Sequence, residues 1–358
     1  METQQTNNEE LTINTSEQEI SVAPKTRDNS IDIIKGILTI FMIFGHVLQF
    51  FTGGKLAEYI SVFVNLTTFS GFMFCLGYVF PIAYSNRENK EKRMFIGFLK
   101  LIFAFYLSSM SFILIVEDGL TRQVFFDILF LKNIPDYSEF LLSFALVFAL
   151  NVFLFNPIKK LVESPIKLIL VLGFCLCLTL INYDAVKSPI IGSIIGTKMH
   201  ESFPVIQYGF YFLIGFYFSE KKVGFNLKFF IVACLFTIQF FAFRIGYGHF
   251  PERFQPTMTW IVGASLFIYL YFLLSKYLEN FEPLSFIGKN SIFFLVLSNI
   301  CIFGAKSLTM EVTMNIWLFR FIVFLISLTA CVVFVFVKNF AVNLFKKIIT
   351  IFKNSIKE

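Results

Sequence analysis

Long apolar runs separated by short polar connections make up the chain from residue 31 onward. A helix needs about 20 apolar residues to cross a hydrocarbon core of about 30 Å. The pattern predicts ten spanning helices, over 31–52, 60–83, 95–116, 139–157, 165–183, 203–219, 228–247, 257–276, 287–305 and 315–337. The segment 165–183 is short and 203–219 carries Gln207, so nine or eleven spans fit the same pattern. Residues 1–30 are rich in Glu, Gln, Asn, Thr and Ser and hold no apolar stretch of a cleavable signal. They read as a disordered cytoplasmic tail. Residues 31–340 read as one membrane-embedded domain without an internal repeat, and 341–358 as a basic cytoplasmic tail. The expected fold class is all-α, a polytopic transmembrane helical bundle.

Composition strengthens this picture. Hydrophobic residues make up 56% of the chain and charged ones 15%, with a mean hydropathy of +0.73. A soluble domain is nearer half apolar and a quarter charged, so a water-soluble core is excluded and lipid is the fitting solvent. Phe occurs 52 times and in every apolar run, which fits packing and lipid contact better than an aromatic ligand path. Cys75, Cys175, Cys177, Cys234, Cys301 and Cys331 all lie in apolar runs. They show neither zinc-site spacing nor a disulfide framework, and no metal is expected.

Charge gives an orientation. Nineteen Lys and Arg residues fall on the side of the N-terminus and seven on the other, counted over loops and tails. By the positive-inside rule both termini are cytoplasmic and an even number of spans is favoured. The basic residues sit in short loops without interleaved aromatics, which argues against nucleic acid as a partner; membrane lipid is the expected surrounding.

Ionisable residues inside spans are costly and therefore candidates for function. The first span holds Asp32, Lys35 and His46 in IDIIKGILTIFMIFGHVLQFF. Lys35 and His46 are eleven positions apart, near three full turns and about 16 Å along the axis. They share a helical face, with the cation near the cytoplasm and the imidazole past the midplane. A cation at the inner interface suits donor phosphates, and an imidazole suits proton removal from an attacking hydroxyl. The pair equally fits a histidine bonded to a neighbouring helix and a lysine that snorkels. Asp32 either orients Lys35 or balances charge at the helix start. Lys100 fits a donor-phosphate contact or snorkelling. Arg244 fits a polar cavity or an interface anchor. Glu139, at the predicted outer end of the fourth span, fits a sugar contact or a solvated helix start. The sequence contains no phosphate-binding glycine loop, Gly-x-Ser-x-Gly elbow or His-Glu-x-x-His motif.

IDIIKGILTIFMIFGHVL resembles the opening helix of the acyltransferase 3 family, multi-span proteins that acylate surface glycans of bacteria. The shared signature is a basic residue, ten residues, then a histidine, matched by Lys35 and His46. Lysine in place of the usual arginine is similar to the fucose 4-O-acetylase-like branch. FMFCLGYVF at 72–80, with Gly77 and Tyr78, FPVIQYGFYFLIGFYF at 203–218, with Gly215, and FIGKNSIFFLVLSNI at 286–300, with Gly288, Asn290 and Ser291, also resemble family helices. Two departures stand out: Ser298 replaces a histidine found in many members, and Glu139 stands where a tryptophan is often seen. The resemblance implies a membrane O-acyltransferase of the bacterial cytoplasmic membrane that uses acetyl-CoA, or another acyl-CoA, as donor. The acceptor would be a polysaccharide or lipid-linked sugar. His46 would be catalytic, with Lys35, Asp32 and Lys100 toward the donor. Tyr78, Glu139, Arg244, Asn290 and Ser291 would lie toward the acceptor. A transporter or exporter of such sugars is the competing class; it explains the spans but not the first-helix spacing together with GKNS.

Overall fold

In hydrocarbon a backbone has no water to bond, so apolar segments satisfy their N–H and C=O groups internally and become helices. The computed structural model describes residues 29–117, 119–306 and 315–355, with side chains through residue 349. Every regular element among them is helical. The predicted tail, apart from Asn29 and Ser30, lies outside the described residues, and those two already belong to the first helix.

Among the described residues seven helices are long and apolar enough to cross a membrane. These are α1 (Asn29–Phe50), α2 (Lys55–Tyr84), α3 (Lys90–Val116), α5 (Glu139–Glu163), α9 (Leu227–Tyr247), the near-continuous α10–α11 pair (Met258–Gly263, Ser265–Tyr277) and α14 (Ile316–Ser355). An eighth crossing arises if α12 (Glu282–Lys289) and α13 (Ser291–Lys306) form one span bent by 80°. The other two of the ten predicted runs are shorter helices. The segments predicted at 165–183 and 203–219 do fold as helices, but Pro165–Leu180 and α8 (Val205–Glu220) have 16 residues each. Each is about 24 Å long, short of the hydrocarbon thickness. The first of these begins with α6 (Pro165–Cys177), α7 (Pro189–Ile195) lies between the two, and α4 (Arg122–Leu129) follows α3. Helix α14 runs unbroken across residue 341, where the basic tail is expected to begin.

Two helix crossings are fixed by glycine. At α1 against α12, a Cβ on Gly36 would lie 2.2 Å from the Leu284 carbonyl oxygen, and one on Gly288 would lie 1.8 Å from that of Asp32. At α2 against α8, the same holds for Gly77 on Phe212 O (1.9 Å) and Gly215 on Phe74 O (2.1 Å). Backbones approach this closely only where side chains are missing. These contacts give a steric reason for the glycines in the quoted motifs. The larger core gathers α1, α2, α3, α5, α8 and α11, while a smaller one joins α1 to α12, α13 and α14. Helix α1 belongs to both, which puts its polar residues at the centre of the bundle.

Candidate functional site

Residue His46 sits in the last turns of α1 and is only 8% exposed. Its Nδ1 is 2.7 Å from Oδ1 of Asn299 on α13. The Asn299 amide nitrogen donates to the carbonyl of Tyr137 at 3.0 Å and to the Ser108 hydroxyl at 3.3 Å. A carbonyl only accepts, so the NH2 of Asn299 must face Tyr137 and its oxygen must face His46. Neutral His46 then carries its proton on Nδ1, as donor to Asn299, and its lone pair on Nε2. The Tyr137 ring meets the imidazole edge-on at 5.2 Å and also contacts Phe50, Phe112 and Phe303. Tyr137 itself holds a left-handed φ of 62° just before α5 begins. Such a conformation is costly for a bulky residue and persists where surrounding packing enforces it.

The imidazole lines a small cleft with about 30 Å³ of water-accessible space. Its walls include Asn65 and Thr68 of α2, Glu139 and Phe140 of α5, Phe203, and Arg253 from the loop before α10. Glu139 is 6% exposed, and its Oε2 makes no hydrogen bond among the described residues. The Nε of Arg253 is likewise buried without a partner. Its guanidinium stacks over Phe254 at 4.2 Å and Phe203 at 5.2 Å. Burial pulls the Arg253 pKa below the usual guanidinium value, while the carboxylates of Glu139 and Glu201 pull it back up. Buried donors and acceptors without partners cost stability, and a cleft that gathers two of them beside an imidazole is built to receive polar groups.

The remaining candidates lie elsewhere. Lys35 pairs with Asp32 at 2.6 Å, with 21% and 3% of their side chains exposed. Lys35 does not line the His46 cleft, so the shared helical face does not bring the two into one cavity. Asn290 caps α12 at the bend, donates to Phe286 O and accepts from Lys338 Nζ at 3.3 Å. Ser291 opens α13 and is half-buried. Tyr78 packs between Phe74 and Phe272 on the same half of α2 as Gly77. Lys100 is exposed on α3, a helix that packs mainly on α5 and α13. Arg244 donates to Gly248 O and to Tyr59 Oη at 3.2 Å, and lies over Phe250. It thereby ties the end of α9 to α2, outside the cleft. Ser298 bonds back to Leu295 O within α13, and its neighbour Asn299 is the residue that meets His46. Among the described residues no three His, Cys, Asp or Glu side chains group as metal ligands.

The fold and cleft define a polytopic helical membrane protein with a buried, singly oriented imidazole. The family model for acyltransferase 3, described as an acyltransferase domain, matches residues 28–336. The chain belongs to that family and is a membrane acyltransferase. No curated protein and no solved structure matches it.

Sequence reasoning missed Asn299, Arg253 and Tyr137. Asn299 carried a signal, since a polar amide inside an apolar run needs an interhelical partner. Arg253 reads as an ordinary loop cation until Phe203 and Phe254 close around it.

Proposed function

We propose that the protein is an O-acetyltransferase of the fucose 4-O-acetylase-like branch. It takes the acyl group of a cytosolic acyl-CoA, in the first place acetyl-CoA, and places it on a hydroxyl of a cell-surface or exported glycan. The membrane is the bacterial cytoplasmic membrane, with both termini inside. The observation that carries this reading is His46, whose Nδ1–H is committed to Asn299 and whose Nε2 lone pair is left for a substrate proton. An acceptor hydroxyl beside it gives its proton to Nε2 as its oxygen attacks the thioester carbonyl. The new C–O bond forms, the C–S bond breaks, and the imidazolium returns the proton to the leaving thiolate. Lys35, partly exposed about 16 Å along α1, serves the donor phosphates, with Asp32 holding its ammonium in place. The 80° break at Asn290 also suits an exporter, whose sites gather at discontinuous helices.

Mass spectrometry of surface glycans separates the two. Cells lacking the gene are complemented with wild type, His46→Ala or Lys35→Ala. Loss of an acyl mass on deletion, restored by wild type and not by His46→Ala, is the expected result. A glycan that keeps its acyl groups but stays inside the cell would establish an exporter instead.

A further inference from the structure

A long apolar groove shares no lining residue with the His46 cleft and holds about 530 Å³ of water-accessible space. Helices α6, α8, α9 and α11 line it. Helix α6 packs chiefly on α8, and α9 on α10 and α11. Phe210, Phe218 and Ile268 are buried along its floor, while Ile169 of α6 and Val232 of α9 are exposed at its edges. On α6 the lining residues Pro165, Leu168, Leu172 and Leu176 follow one face over about 16 Å. One leaflet of a hydrocarbon core of about 30 Å is about 15 Å deep, so the groove matches the chains of one leaflet. Gly173 lies in the same stretch, and a Cβ there would meet nothing within 4 Å. Unlike Gly77 and Gly215, it is not demanded by a helix crossing. A glycine inside a helix is unfavourable; here the missing side chain leaves the groove open.

One end of the groove is basic. Lys167 stands between Pro165 and Leu168 on α6, Lys221 and Lys222 follow α8, and Lys228 precedes Phe229 on α9. All four are exposed, and none forms an ion pair among the described residues. The carboxylates beside them in sequence are Glu163 and Glu220, and Glu220 accepts from Ser85 Oγ at 3.4 Å. That bond sets this mouth beside the end of α2, whose earlier turns border His46. The mouth is held in shape by Tyr269, whose hydroxyl receives the Asn226 N–H at 2.7 Å. The ring of Phe218 meets those of Phe229 at 5.3 Å and Tyr269 at 6.1 Å. Clustered lysines at the cytoplasmic face of a bundle attract lipid phosphates. We propose that the groove holds the acyl chains of a phospholipid with an anionic headgroup, its phosphate among Lys167, Lys221, Lys222 and Lys228. The lipid fills the space between α6 and α9 and joins one to the other. This site is separate from acyl transfer and does not rest on that reading.

The test uses the full-length protein purified in detergent and two probes with the same chains, dioleoyl phosphatidylglycerol (anionic) and dioleoyl phosphatidylcholine (zwitterionic). Native mass spectrometry reads the lipid retained, and thermal unfolding reads its effect on stability. Wild type is expected to retain phosphatidylglycerol at least about fivefold better than phosphatidylcholine and to melt at a higher temperature with it. The combined variant Lys167→Gln, Lys221→Gln, Lys222→Gln and Lys228→Gln is expected to retain both lipids equally. Gly173→Phe puts a ring into the open groove. It is expected to fold, and to lose both the retained phosphatidylglycerol and the rise in melting temperature. Equal retention of the two lipids by wild type is the mark of ordinary boundary lipid and overturns the proposal. So does a lysine variant that keeps the preference, or a folded Gly173→Phe that retains phosphatidylglycerol as wild type does. Should Gly173→Phe fail to fold, the lysine variant, changed only at exposed positions, decides alone.

Discussion

Replacing Asn299 with alanine tests the geometry on which the chemistry depends. The side chain receives the Nδ1 proton of His46 at 2.7 Å and is itself oriented by Tyr137 O at 3.0 Å and Ser108 Oγ at 3.3 Å. Removing it leaves a buried imidazole N–H without a partner, a cost of about 1–3 kcal/mol. It also frees the ring to rotate and to take the other tautomer, which carries a proton where the base should be. If that cost falls on the transition state, each 1.4 kcal/mol is a factor of ten. A kcat lower by roughly tenfold to a hundredfold is expected, no larger than the lower end of the general-base contribution of about 10²–10⁴. Asn299→Asp keeps an oxygen toward Nδ1–H but loses both donors, and is expected to fall between alanine and wild type. The assay is acyl transfer by purified protein in proteoliposomes, normalised to the monodisperse fraction. In a double-mutant cycle, Asn299→Ala should add nothing further in a His46→Ala background. A wild-type kcat for Asn299→Ala, or an effect of the same size in both backgrounds, would refute the assignment.

The helix crossings predict a sharp contrast among glycines. Gly288→Ala and Gly77→Ala each drive a methyl group into a backbone oxygen less than 2 Å away, so the cost should exceed the usual 1–3 kcal/mol of overpacking. Gly246→Ala on α9 meets nothing within 4 Å and should hold or raise the melting temperature; fluorescence-detected thermal unfolding compares them. Lys35→Ala should raise the donor KM more than it lowers kcat, with Lys35→Arg close to wild type, read from initial rates against acyl-CoA concentration. Arg320, fully buried on α14, donates to the carbonyls of Phe51 and Gly53 just past His46. Arg320→Leu should lower stability by about 1–3 kcal/mol, since it strands the carbonyl of the buried Phe51; the same melts report it.

Much of the bundle was readable in the sequence because lipid demands long apolar runs, and each predicted run does fall on a helix. Length was less readable where neighbours share the work of burial. Helix α8 can stop at 16 residues because α2 packs along it through Gly77 and Gly215. The break at Asn290 was hidden because the predicted span 287–305 runs across Lys289, Asn290 and Ser291, where the chain bends by 80° while Gly288 packs α12 against α1. His46 stood out because an imidazole in an apolar run is rare. Its surroundings did not, since Asn299, Tyr137, Glu139 and Arg253 come from separate stretches and meet only in the folded chain. Periodicity put Lys35 and His46 on one face of α1, but it could not say what covers that face. Helix α12 packs against the half that holds Lys35, while the cleft opens at the half that holds His46.

In the proposed reaction His46 carries acyl transfer. The most direct measurement is transfer of labelled acetyl from acetyl-CoA to released surface glycan by the reconstituted protein, wild type against His46→Ala, at saturating donor. Wild type should label robustly and the variant should lose at least about a hundredfold, with the variant's melting temperature preserved. Labelling by folded His46→Ala within a few fold of wild type would contradict it.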